Sequence, residues 1–203
     1  GNQARVRQIN IVGNHAFDED MIRENFKIKS PHLMTIFKKD DRYSRESLES
    51  DLENLKSFYM NRGYANFEIN STQVSIAPEK DDMFININIT EGEIFKVAEV
   101  KLAGNLIVAE NELRNLIVVG PGSIYSRQLI AKSEEAIKLR LGMDGYAFAK
   151  VDTLTSINDQ THEVTLTFLV EPGNRVYVRR VNYSGTASVN DEVLRRDTRQ
   201  LEG

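Results

Sequence analysis

No cysteine occurs anywhere in the chain, and that absence excludes disulfide frameworks, thiolate nucleophiles, zinc ribbons and iron–sulfur ligation together. A thiol-free chain suits an oxidising space, although cytosolic domains pass the same test. No stretch reaches the roughly eighteen consecutive apolar residues of a membrane-spanning helix, and the N-terminus lacks the basic-then-apolar pattern of a signal peptide. An excess of positive charge is missing too: 26 basic against 30 acidic side chains give a net charge of −4, the wrong sign for holding nucleic acid by neutralising phosphates. Catalytic motifs are equally scarce. His15, His32 and His162 fall in three separate turn or loop contexts, with no H-E-x-x-H, nucleophile elbow or P-loop pattern. Glu134-Glu135 and Asp81-Asp82 read as solvated charge. No catalytic residue, cofactor or metal is expected. What is present is an ordinary folded composition, 40% hydrophobic and 28% charged over 203 residues, enough to bury a core in one domain or two.

Self-comparison is more informative than any single motif, because similarity at a fixed period means one structural unit used repeatedly. Ile9-Asn10-Ile11-Val12-Gly13-Asn14 recurs as Val100-Lys101-Leu102-Ala103-Gly104-Asn105 and again as Val181-Asn182-Tyr183-Ser184-Gly185-Thr186. Tyr43-Ser44 returns as Tyr125-Ser126, Gly63-Tyr64-Ala65 as Gly145-Tyr146-Ala147, and Glu91-Gly92 finds a looser echo in Pro172-Gly173. The first copy carries extra residues before Tyr43, about where Ser30 to Asp41 lies, and this insertion reads as a loop. Its Leu33, Met34, Ile36, Phe37, Lys38 and Lys39 make a small apolar and basic patch.

Each copy has the same grammar. An alternating strand (Ile9, Ile11; Val100, Leu102) ends at a glycine suited to a left-handed turn. A short helix with acidic residues at its start follows, over 18–26 and 109–116. Ser44 then offers an N-cap to a longer helix whose Leu48, Leu52, Leu55 and Tyr59 form one apolar stripe. Its counterpart starts at Ser126 and carries Ile130, Ile137 and Leu141, with Glu134 interrupting the stripe. Gly63 and Gly145 sit where a C-terminal glycine belongs. Two strands close the unit. Met83 to Glu91 and Glu163 to Glu171 alternate cleanly. The strand before the first changes parity between Phe67, Ile69 and Val74, Ile76, which predicts a bulge near Ser71 to Gln73. The order β-α-α-β-β predicts an α+β fold with two helices covering one face of a three-stranded mixed sheet. The division is 4–92, 93–173 and a third copy, 174–203, that is cut short. Seven residues, Thr90 to Lys96, join the first two copies, a length suited to a limited hinge.

This unit, with its strand-Gly-Asn turn, Arg62-Gly63-Tyr64-Ala65 helix exit and Glu91-Gly92 strand exit, resembles a POTRA domain. Ile9 to Phe17, Ser71-Thr72-Gln73-Val74-Ser75 and the run Leu194-Arg195-Arg196 through Arg199-Gln200 to Glu202-Gly203 resemble the third, fourth and beginning of the fifth POTRA domains of outer-membrane β-barrel assembly proteins. The resemblance implies a periplasmic arm without a catalytic centre, belonging to the Gram-negative machinery that inserts β-barrels, with strand three central and strands one and two at the sheet edges. An edge strand carries unpaired N–H and C=O groups that an extended chain can complete. Unfolded outer-membrane proteins are such chains.

The resemblance further implies strand addition, and contact with the accessory lipoprotein BamB, along Asn70, Ser71, Thr72, Gln73, Val74, Ser75 and Ile76. It implies docking of the helical-repeat lipoprotein BamD at Arg195, Arg196, Arg199 and Glu202. Arginine suits planar pairing with carboxylates, and residues 174–203 carry 6 basic and 4 acidic side chains where the two earlier copies are net negative. Val176 to Ser184, a first strand without its sheet, is expected to pair with an edge strand of a neighbouring molecule. Two rivals stand beside this reading: the POTRA arm of a related secretion or translocation barrel, and a KH-like RNA module matched by Gly142-Met143-Asp144-Gly145. A KH loop lies between two helices and clamps phosphates, whereas this one is placed after the second helix and contains an aspartate.

Overall fold

The computed structural model of the chain describes residues 3–26, 36–38, 42–77, 82–178 and 199–200. Two compact units emerge: Gly1–Lys96 with Ser123–Gln128 and Asp159–Glu163, and Val97–Gly122 with Leu129–Asn158 and Val164–Gly203. In chain order the elements are β1 (Gln3–Val12), α1 (Glu19–Arg23), β2 (Ile36–Lys38), α2 (Arg42–Met60), β3 (Glu68–Ala77), β4 (Asp82–Thr90) and β5 (Lys96–Gly104). Then follow α3 (Glu110–Arg114), α4 (Arg127–Met143), β6 (Lys150–Asn158), β7 (Glu163–Glu171), β8 (Tyr177–Val178) and β9 (Arg199–Gln200). Among the described residues no helix is long and apolar enough to cross a membrane.

The first sheet has the order β2-β1-β4-β3. Its central strand β4 pairs in parallel with β1 and antiparallel with β3, which is the mixed sheet expected, plus one strand. Part of the insertion is therefore not a loop. Residues 36–38 pair antiparallel with Gln3–Arg5, because the start of β1 extends beyond α1 and offers free main-chain groups. Residues 27–35 and 39–41, with the rest of the apolar and basic patch, lie outside the described residues. The long helix begins at Arg42, so Ser44 stands in its first turn rather than at its cap. Ser126 directly precedes α4.

Alternation in β4 puts Ile85, Ile87 and Ile89 inward, where they are buried with Ile9, Ile11, Ile22, Leu55 and Tyr59 in one cluster. Phe17 packs edge-on to Phe58, Tyr59 and Tyr64 at 4.9, 5.5 and 5.9 Å between centroids, and Tyr59 stacks on Phe67 at 4.5 Å. The recurrent glycine of the first turn has a steric cause. A Cβ on Gly13 would lie 2.2 Å from the Ile89 carbonyl oxygen, and one on Gly104 would lie 2.2 Å from that of Val170. Each turn thus presses its backbone onto the strand beside it.

Glu91 ties the same region together. Its carboxylate accepts the Tyr59 hydroxyl at 2.7 Å and the Ala16 N–H at 3.0 Å. Burial pushes the carboxyl up, but the Ala16 and Tyr59 bonds outweigh it and hold Glu91 below the usual carboxylate range. Burial and that neighbouring carboxylate push the Tyr59 phenol well above its ordinary value. In the second unit Leu141 stands where Tyr59 does and Pro172 where Glu91 does. Donor and acceptor are replaced together, so no buried tyrosine hydroxyl is left without its partner.

The second sheet has the order β5-β7-β6. Its core takes Leu113, Ile130, Ile137, Leu141, Val151, Val164, Leu166, Phe168 and Val170 out of solvent. Glu134, the break in the α4 stripe, accepts the Thr153 hydroxyl at 2.9 Å. The chain leaves each of the first two sequence copies in the same way: the Phe95 N–H donates to the Gly63 carbonyl at 2.8 Å, and the Val176 N–H to that of Gly145 at 2.7 Å. Tyr177–Val178, from the segment expected to pair with a neighbour's edge, pairs with Arg199–Gln200 of its own chain. Residues 179–184 lie outside the described residues.

Candidate functional site: the free edge of the first sheet

All seven residues expected to accept a strand, Asn70 to Ile76, fall in β3, and among the described residues β3 is the terminal strand of its sheet. The bulge is present but earlier than expected. Ile69 faces Ile89 and Ser71 faces Asn88, so Asn70 is the extra residue. Its side chain donates to the Thr90 hydroxyl at 2.7 Å, while Asn88 donates to the Ser71 hydroxyl at 2.8 Å. Two polar cross-strand bonds therefore brace the irregularity.

The bulge decides where the following side chains point. Residues opposite each other in an antiparallel ladder share a face. Val74 lies opposite Ile85 and Ile76 opposite Met83, so both face the helix layer, in line with Phe67 and Ile69. They are not covered by it: Val74 is 45% and Ile76 38% exposed, against 1% for Ile85. An apolar ledge thus borders the free edge. At the other end of β3 an open groove of about 550 Å3 lies against α2, lined by Leu52, Glu53, Lys56, Phe67, Glu68, Ile69 and Asn70. The opposite face is mostly polar, Val12 and Phe84 excepted. Gln8 donates to Asn10 at 3.0 Å and Asn10 to Asn86 at 3.0 Å, and Gln73 and Ser75 share that face with Asn86 and Phe84.

Among the described residues the second unit presents β6 as a terminal strand in the same position, with Leu154 and Ile157 exposed. It is nine residues long where β3 has ten. Arg195, Arg196 and Glu202 lie outside the described residues, and of Arg199 the structure describes only the backbone, in β9. The Gly142–Gly145 segment closes α4 rather than joining two helices. Among the described residues no group of three His, Asp or Glu side chains is placed to hold a metal.

Comparison with known proteins agrees with this architecture. The chain is 30% identical to outer membrane protein assembly factor BamA of Buchnera aphidicola over 203 residues, covering all of this chain and 33% of the relative. It is 28% identical to BamA of Neisseria meningitidis serogroup B, covering 100% of this chain and 26% of the relative. It therefore spans a third or less of these curated relatives. The crystal structure of Haemophilus influenzae BamA POTRA3-5 superposes with a TM-score of 0.78 at 27% identity, covering 99% of this chain and 79% of that chain. The POTRA family model, described as surface antigen variable number repeat, matches residues 4–92 and 95–173; with the repeated turn glycines and central strands this makes the chain a member of the POTRA family.

Proposed function

We propose that the chain is part of the periplasmic arm of an outer-membrane β-barrel assembly factor, a scaffold rather than an enzyme, whose β3 edge receives unfolded outer-membrane proteins by strand addition. In this reading 4–92, 93–173 and 174–203 are the third, fourth and start of the fifth POTRA domains. BamB contacts the β3 region, and BamD the surface carrying Arg195, Arg196, Arg199 and Glu202.

The observation that carries the proposal is the two-faced character of the free edge. A guest paired with Ser71–Ala77 would set alternate side chains against the apolar ledge of Val74 and Ile76 and the rest against the polar face of Ser71, Gln73 and Ser75. Membrane β-strands alternate apolar and polar residues with that same period of two. Main-chain bonds are indifferent to sequence and supply the common affinity, while the ledge rewards alternation.

The test is amide-shift mapping of the chain with two peptides of one composition, one alternating and one with the same residues in blocks. The alternating peptide is expected to perturb 71–77 and to bind more tightly. Equal binding of both, or changes confined to helix surfaces, would refute the reading.

A further inference from the structure

We infer that the first strand of each repeat is sealed against strand addition by the protein itself, so that guests are admitted at one edge of each sheet only. The seal has two parts. Over the beginning of the strand it is made of main chain. Gln3–Arg5 pairs with residues 36–38. In the second copy Phe95 and Val97 carbonyls accept the Tyr125 and Gly122 N–H groups at 2.9 and 2.8 Å, with a bridge between Lys96 and Ile124. In the third, Tyr177–Val178 pairs with Arg199–Gln200. In the first two copies the sealing segment comes just before the long helix.

Over the end of the strand the seal is made of side chains from the short helix. Main-chain groups of alternate residues point to the same side of a strand, and β4 occupies one side of β1. On the other side the Ile9 carbonyl accepts Arg23 Nη1 at 3.3 Å and the Ile11 N–H donates to Glu19 Oε1 at 2.8 Å. Arg23 is held by Asp20 at 3.0 Å. The second unit repeats the device. Arg114 Nη1 donates to the Val100 carbonyl at 3.0 Å, and Glu110 holds Arg114 at 3.0 Å. Arg23 and Arg114 are both 14 residues from the carbonyl they cover. Arg23 Nε is buried without a hydrogen-bond partner. That cost is consistent with an arginine placed for what its Nη atoms reach.

An unsealed edge is a template for any extended chain, including another copy of the protein. Sealing strand one leaves β3 and β6 as the places for a guest and removes strand one as an edge onto which another copy could stack. The part concerning guests rests on the function proposed above; the part concerning self-association does not.

The test compares the 203-residue chain with Glu19→Ala/Arg23→Met and with Arg114→Met. Arg114 is the more exposed arginine, its side chain 46% accessible against 19% for Arg23, so this variant keeps the question open to test should the double variant not fold. In the double variant exchange of the Ile11 amide is expected to rise about tenfold. Both variants are expected to form concentration-dependent dimers in sedimentation and to gain peptide-induced shifts at Ile9–Val12 or at Val100. Folded variants that stay monomeric and gain no such shifts would overturn the inference. A parent chain that ignores the peptide while the variants dimerise would instead refute strand capture and leave the seal standing.

Discussion

Deleting Asn70 should leave the first unit folded, with its core residues unmoved. Asn70 is the one residue of β3 without a partner on β4, so removing it converts β3 to the nine-residue length of β6. Ile69 would still face inward, Ser71 outward and Thr72 inward. What is lost is the exposed bond to Thr90, about 0.5–1.5 kcal/mol. Deleting Asn86 from β4 is the contrasting case. There every residue on one side of the gap exchanges faces, which turns out Ile85, or Ile87 together with Ile89, all within 5% of full burial. At about 1.5–3 kcal/mol per isoleucine the latter costs about 3–6 kcal/mol, a large share of a domain's total of roughly 5–15 kcal/mol. Urea unfolding followed through amide resonances of the first unit measures both. In the proposed function the Asn70 deletion should also lengthen the peptide footprint from Ser71 back towards Glu68. Equal costs for the two deletions, or Val74 and Ile76 moving to the polar face, would refute the assignment of the bulge.

Two further outcomes are expected. Because the Glu91 carboxyl is held below its ordinary value, its contribution is present above the unfolded-state value and is lost as pH falls through the folded one. The first unit should therefore weaken on acidification through the carboxylate range more steeply than in Glu91→Gln, as read by urea midpoints at several pH values. Gly13→Ala and Gly104→Ala combine a positive φ of 104° and 89° with a Cβ 2.2 Å from a backbone carbonyl. Each should cost more than about 2 kcal/mol. Gly142→Ala, in a helix with nothing within 4 Å, should stabilise by about 1 kcal/mol, and thermal melts separate the two classes.

The bulge and the seals differ in how far they could be read in advance. The offset between copies is 82 residues at Gly63 and Gly145 but 81 at Glu91 and Pro172, and that missing residue is the bulge. A change of parity located it only to within a few positions, because the choice among Asn70, Ser71 and Gln73 depends on which cross-strand polar bonds form. Likewise Arg23, Arg114 and Arg195 share a spacing of 91 and 81 residues with Gly13, Gly104 and Gly185. The recurrence is legible, whereas the carbonyl that the first two arginines cover is not. Arg195 lies outside the described residues; the resemblance implies lipoprotein docking for it, and its spacing is that of the two sealing arginines.

By itself the sequence determined what is local or periodic. Alternation in Met83 to Glu91 and the stripe Leu48, Leu52, Leu55 and Tyr59 each bury one face by their own period, so element type, order and repeat follow without a partner being specified. Only the tertiary structure decided which strand edge stays free. Residues 36–38 become a strand because β1 is there to pair with them, and Glu19 and Arg23 seal that edge because the short helix brings them to Ile11 and Ile9. Val74 and Ile76 remain exposed on the helix-facing side, although their residue types suit a core. Hydrogen bonds and exposure at a sheet edge depend on chain segments distant in sequence, and no local pattern encodes which of them arrives.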